Sequence, residues 1–119
     1  MNTTRTDTLA WLHRWRQGDA SAEQVWQWAS ECAAAHSQGQ TEYEDELVRD
    51  VIDVLAALPQ DLIILEDADV MIYGLENPAD EADLAQNLLW NHLDTIDSQA
   101  RRQLLADDPF YGPFCADVI

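Results

Sequence analysis

Cys32 and His36 stand one helical turn apart, the spacing at which a thiolate–imidazole pair or half of a metal site is built. No third or fourth ligand lies close to them in sequence. The default reading is therefore a small core cysteine and a histidine near a helix C-terminus, where the helix dipole favours it. His13 and His92 have no carboxylate three residues before them, so the inward Glu-x-x-His pattern of carboxylate-bridged metal bundles is missing. The four glycines are isolated at positions 18, 39, 74 and 112, which leaves no phosphate-cradling loop. Serine and threonine sit chiefly where helices should start, and none occupies a nucleophile elbow. Two dense acidic clusters could attract a cation: Glu42, Glu44, Asp45 and Glu46, then Glu66, Asp67 and Asp69. Neither alternates oxygen ligands about a central glycine as a calcium loop does. We expect no catalytic residue, no metal and no cofactor, and hence not an enzyme.

What remains is charge. Residues 42–83 hold fourteen carboxylates against one basic residue, Arg49, for a segment net charge of −13 in a chain whose total is −17. The flanking segments are close to balanced, and lysine is absent. Such a field repels nucleic acid and anionic membranes and draws basic partners from a distance. A salt-adapted proteome would spread its acids evenly, unlike this chain. Nearly half of the 119 residues are apolar and five are tryptophan, which argues for one packed domain over residues 1–119 rather than disorder. No basic-then-apolar start and no long apolar stretch occurs, and the two cysteines are far apart. These features predict a cytoplasmic protein with reduced thiols.

The elements that would carry these residues read as helices, giving an all-α fold: a compact single-domain bundle of about five to six helices with an irregular aromatic C-terminal tail. The first helix is expected from a cap at Thr6 or Asp7 to Gln17, with Leu9, Leu12 and Trp15 inward and Gly18 stopping it. Ser21 with Gln24 reads as a capping box for a second helix bearing Val25, Trp28, Ala29, Cys32 and Ala33. Thr41 with Glu44 reads as another, opening a strongly amphipathic third helix with Leu47, Val48, Val51, Ile52, Val54, Leu55 and Leu58 on one face. Its opposite face would be Glu42, Glu46, Arg49, Asp50 and Asp53. Residues 62–65 read as an irregular linker, and Glu66 or Asp67 as the cap of a short helix broken at Asn77-Pro78. A fifth helix is expected over 80–95 with Leu84, Leu88, Leu89 and Leu93 inward, and a sixth capped by Ser98 with Ala100, Leu104 and Leu105 inward. The tail Asp108-Pro109-Phe110-Tyr111-Gly112-Pro113-Phe114 should be non-helical, yet three aromatics favour packing it onto the bundle. Trp15 and Trp28 fall on apolar stripes; Trp11 and Trp26 lie off them, and Trp90 is the candidate to point outward.

The pattern Trp15-x-x-Gly18-x-x-Ser21-Ala22-x-x-Val25-x-x-Trp28-Ala29, the acidic helix after it and the ending Asp108-Pro109-Phe110-Tyr111 resemble small acidic all-helical bacterial proteins. Some proteins of that build are immunity proteins of the colicin and polymorphic-toxin type, which bind a toxin domain and block it. The resemblance implies a stoichiometric inhibitor of a toxin, and the charge of this sequence adds that its acidic face, residues 42–83, would cover the basic active site of a toxin or nuclease domain. The partner-binding residues would be Glu42, Glu46, Asp50 and Asp53 with Glu66, Asp67 and Asp69, and the chain would bind neither nucleic acid nor membrane. A nucleic-acid mimic and an adaptor with a merely solvated acidic face are the other classes this charge pattern admits.

Overall fold

A computed structural model describes residues 2–76 and 82–115, and in them the chain is helical almost throughout. The helices are α1 (Arg5–Gln17), α2 (Ala22–Ser37), α3 (Glu46–Ala56), α4 (Ala68–Glu76), α5 (Ala82–Asp94), α6 (Ser98–Leu105) and the single turn α7 (Gly112–Cys115). A 3-10 turn, Leu65–Asp67, leads into α4. Two two-residue strands, β1 (Asn2–Thr3) and β2 (Glu42–Tyr43), pair in parallel, with Thr3 opposite Tyr43. They are too short for an apolar–polar alternation to show in the sequence. The all-α architecture expected from the pattern is the one found.

Helix α3 forms the centre. Its apolar residues recur at three- and four-residue spacing, and Leu47, Val48, Val51, Ile52 and Leu55 are at most 1% exposed. Burying each of these is worth about 1.5–3 kcal/mol relative to leaving it in water. Helices α1, α2, α4 and α5 all contact α3, while α4 also packs on α1 and α5. Gly74 lies inside α4 without ending it, because a Cβ there would come within 3.4 Å of Ala85 on α5, so the two helices meet at close range.

Several boundaries differ from the sequence expectation, each for a local reason. Thr4, not Thr6 or Asp7, caps α1, its hydroxyl accepting from the Asp7 amide. Gly18 ends that helix in the left-handed region as expected, and the Ser21–Gln24 capping box is present. Thr41 does not cap α3. It is buried beside β1, its hydroxyl 3.4 Å from that of Thr3, and Asp45 caps α3 instead by accepting from the Val48 amide. Glu42 therefore belongs to a strand rather than to the third helix. Asp97 rather than Ser98 caps α6, accepting from Ala100 at 3.0 Å.

Leu84 and Leu88 face outward while Ala85 and Leu89 take the core positions, since α5 turns its small residue toward Gly74. In α6, Ala100 and Leu104 are exposed and Arg101 faces inward, drawn to a buried carboxylate described below. The tail does form one helical turn, with Pro113 in its first turn where no amide donor is needed. It packs as expected: Phe110 and Phe114 lie against Trp26, with ring centroids 5.7 and 6.1 Å away, and the Tyr111 hydroxyl donates to the Ile63 carbonyl. The expected break at Asn77-Pro78 and the start of the fifth helix at residue 80 lie outside the described residues.

Candidate functional site

Where α3 ends, the chain passes through a run of turns over 57–62 before the 3-10 turn and α4. Leu62 adopts φ +56°, a left-handed conformation that costs a non-glycine residue about 1 kcal/mol or more. It is held there by burial of its side chain and by Arg101, which donates to its carbonyl at 2.9 Å. These turns, the end of α3, the C-terminal half of α5 and the start of α6 line a groove of about 470 Å³. Its apolar floor is Val54, Leu62, Ile63, Leu93 and Ile96, and Trp90 lines it with 45% of its surface exposed. Three carboxylates, Asp53, Asp61 and Asp94, line the same groove against one guanidinium, Arg102. All four are exposed residues. Carboxylates around a low-dielectric floor concentrate negative potential, so the arrangement suits a cationic group carrying an apolar stem.

Asp67, tied to the groove through Arg101, which bonds both it and the carbonyl of Leu62, is fully buried. Arg101 grips it with two bonds, 2.6 Å to Oδ2 and 3.0 Å to Oδ1, while the His92 ring and the Ile64 amide donate at 2.7 and 2.9 Å. Burial alone would raise its pKa. The hydrogen bonds from Arg101, His92 and Ile64 outweigh that and hold the carboxyl below its ordinary range. One side chain thus joins α5, α6 and the 62–67 loop, fixing the walls of the groove. Burial, with Asp108 and Asp67 nearby, pushes the Tyr111 phenol far above its usual range, so it stays a neutral donor to Ile63.

The acids named from sequence separate into three groups. Glu46 and Asp53 are exposed on α3 two turns apart, with Arg49 also exposed between them, and Asp53 reaches the groove. Glu42 and Glu66 are exposed but lie on β2 and the 3-10 turn. Asp69 is exposed and held by Arg16 of α1 at 2.6 Å. Asp50 and Asp67 are buried, which corrects their placement on a solvent face. Asp50 accepts from Gln86 of α5 at 2.7 Å and pairs with Arg49 at 3.2 Å, tying α3 to α5. Asp61, Asp94, Gln60 and Arg102 were not singled out as site residues, and only the fold brings them together.

The Cys32–His36 spacing leads to no pair. The His36 ring stacks on Tyr43, centroids 4.3 Å apart, and the Cys32 thiol faces Thr3 in a second, smaller hollow with Asp7, Trp28 and Glu31. Burial raises the Cys32 pKa and outweighs the Thr3 hydrogen bond, which lowers it; Glu31 and Asp7 add to the rise, so the thiolate is disfavoured. Among the described residues no three His, Cys, Asp or Glu side chains form a group that could hold a metal, and no helix is long and apolar enough to cross a membrane. No family model, curated protein or solved structure matches the chain.

Proposed function

We propose that this protein is a stoichiometric protein-binding inhibitor of the immunity type, which covers the basic active site of a toxin or nuclease domain in the cytoplasm. The observation that carries the reading is the groove: three exposed carboxylates and a half-exposed tryptophan around an apolar floor. A net charge of −17 steers a basic partner into encounter, and the steering weakens as salt is added. Trp90 supplies the kind of large, rigid contact that slows dissociation. Glu42, Glu46, Glu66 and Asp69 contribute long-range field, whereas Asp50 and Asp67 hold the scaffold.

The test is capture of a partner from a nuclease-treated lysate of the source cells at low salt. The immobilised wild type runs beside an Asp53→Asn/Asp61→Asn/Asp94→Asn variant, whose three changes lie on the surface. The wild type is expected to retain one basic protein in one-to-one ratio, and the variant to lose it, with an association rate about tenfold lower and a flatter salt dependence. Identical eluates from the two columns would reject the groove as the site, and a broad set of DNA-binding proteins on both would point to mimicry of nucleic acid.

A further inference from the structure

The groove's lining is specific enough to name what enters it. We infer that its occupant is an arginine-bearing segment of the partner protein, with the guanidinium laid on the Trp90 ring and its donors shared among Asp53, Asp61 and Asp94. This assignment rests on the proposed binding function and names its recognition chemistry. The sign of the charge comes first: three carboxylates face one arginine, so an anionic or neutral occupant would leave them unpaired. Size comes next, since about 470 Å³ exceeds one guanidinium several-fold and suits a short run of chain.

A second copy of this chain does not meet the requirement. It carries the same −17 charge, and of its six arginines four are in ion pairs among the described residues, with Asp45, Asp50, Asp67 and Asp69. A fifth, Arg14, lies over the Trp11 ring at 4.5 Å. Arginine is favoured over lysine by the surroundings themselves. A planar guanidinium stacks on an indole while offering in-plane donors to carboxylates beside it, and it leaves water more readily than an ammonium. The structure contains the same chemistry in miniature, in the Arg14–Trp11 stack and in the two-bond Arg101–Asp67 contact. Arg102, which makes no ion pair among the described residues, is then the groove's own competing cation.

Two blocked hexapeptides of equal charge, alternating glycine with arginine or with lysine, are titrated into the isotope-labelled full chain at physiological ionic strength and followed by NMR. The arginine peptide is expected to shift the Trp90 indole resonance and the amides of Asp53, Asp61 and Asp94, and to bind about threefold tighter or more than the lysine peptide. Trp90→Ala should abolish that preference, and Arg102→Gln should tighten both peptides about twofold. Equal affinities, or shifts centred elsewhere, would overturn the arginine assignment while leaving capture of a basic partner intact. Loss of partner capture with the peptide preference preserved would instead remove the inhibitor reading and keep the arginine site.

Discussion

Asp67 shows how far burial changes what a residue means. In the sequence it is one of three acids in four positions; in the fold it is fully buried and accepts four hydrogen bonds. Asp67→Asn keeps an acceptor for the Ile64 amide, and Arg101 keeps the Leu62 carbonyl, but the guanidinium, whose side chain is only 15% exposed, loses its countercharge. Breaking a buried pair in this way costs about 3–5 kcal/mol, a large part of a small domain's stability. Denaturant melts should therefore show a strongly lowered midpoint, and an Asp67→Leu/Arg101→Met double variant should lose less than the two single losses added together. The pH sign follows from the depressed pKa: the contribution of Asp67 is complete above the ordinary carboxylate range and is lost as pH falls through the still lower folded value. The stability gap between wild type and Asp67→Asn should thus hold at neutral pH and narrow below about pH 4. Nothing in local sequence marks this residue. Its partners His92 and Arg101 are 25 and 34 positions away, so only the packed fold distinguishes it from exposed Glu66 and Asp69.

At the scale of elements, close approaches decide where substitutions are felt. A Cβ on Gly112 would sit 2.8 Å from the Ala106 carbonyl oxygen, closer than side-chain carbons approach backbone, so α7 cannot keep its place after Gly112→Ala. That variant should lose about 1–3 kcal/mol in a thermal or denaturant melt, with a change in tryptophan emission as Phe110 and Phe114 leave Trp26. The stripe of α3 and the Ser21–Gln24 capping box were legible because local spacing and local hydrogen bonds determine them. The cap of α3 was not: Thr41 and Asp45 both suit a helix start, and pairing of β1 with β2 draws Thr41 away. The inward side of α5 was misread for a similar reason. Leucines outweigh Ala85 in any hydropathy pattern, but Gly74 on the facing helix admits the small residue and turns Leu84 outward. The groove combines both lessons. Asp53 could be anticipated from the acidic stripe, whereas Asp61 and Asp94 join it only through a left-handed turn at Leu62 that no local signal demands.

For the whole molecule the net charge is −17, and four arginine–carboxylate pairs among the described residues leave most of the carboxylates without a cationic partner. Self-repulsion of this kind opposes folding and is screened by salt. Added sodium chloride should raise the melting temperature at neutral pH, most steeply below physiological ionic strength, the opposite of the weakening expected for association with the proposed basic partner. Stability is also distributed unevenly. Helix α6 has no buried residue, Leu104 is 73% exposed, and the helix is held largely through Arg101 and the aromatic tail that follows it. Segments with so little apolar burial open at a free energy below that of global unfolding. Amide hydrogens of α6 should accordingly exchange with deuterium well before those of α3. Because Ser98 and Arg102 of that helix line the groove, an occupant must damp this opening when it binds. Slowed exchange in 98–105 would then register occupancy even for a partner that barely moves the fold, which makes this wall of the groove a reporter of the proposed occupant.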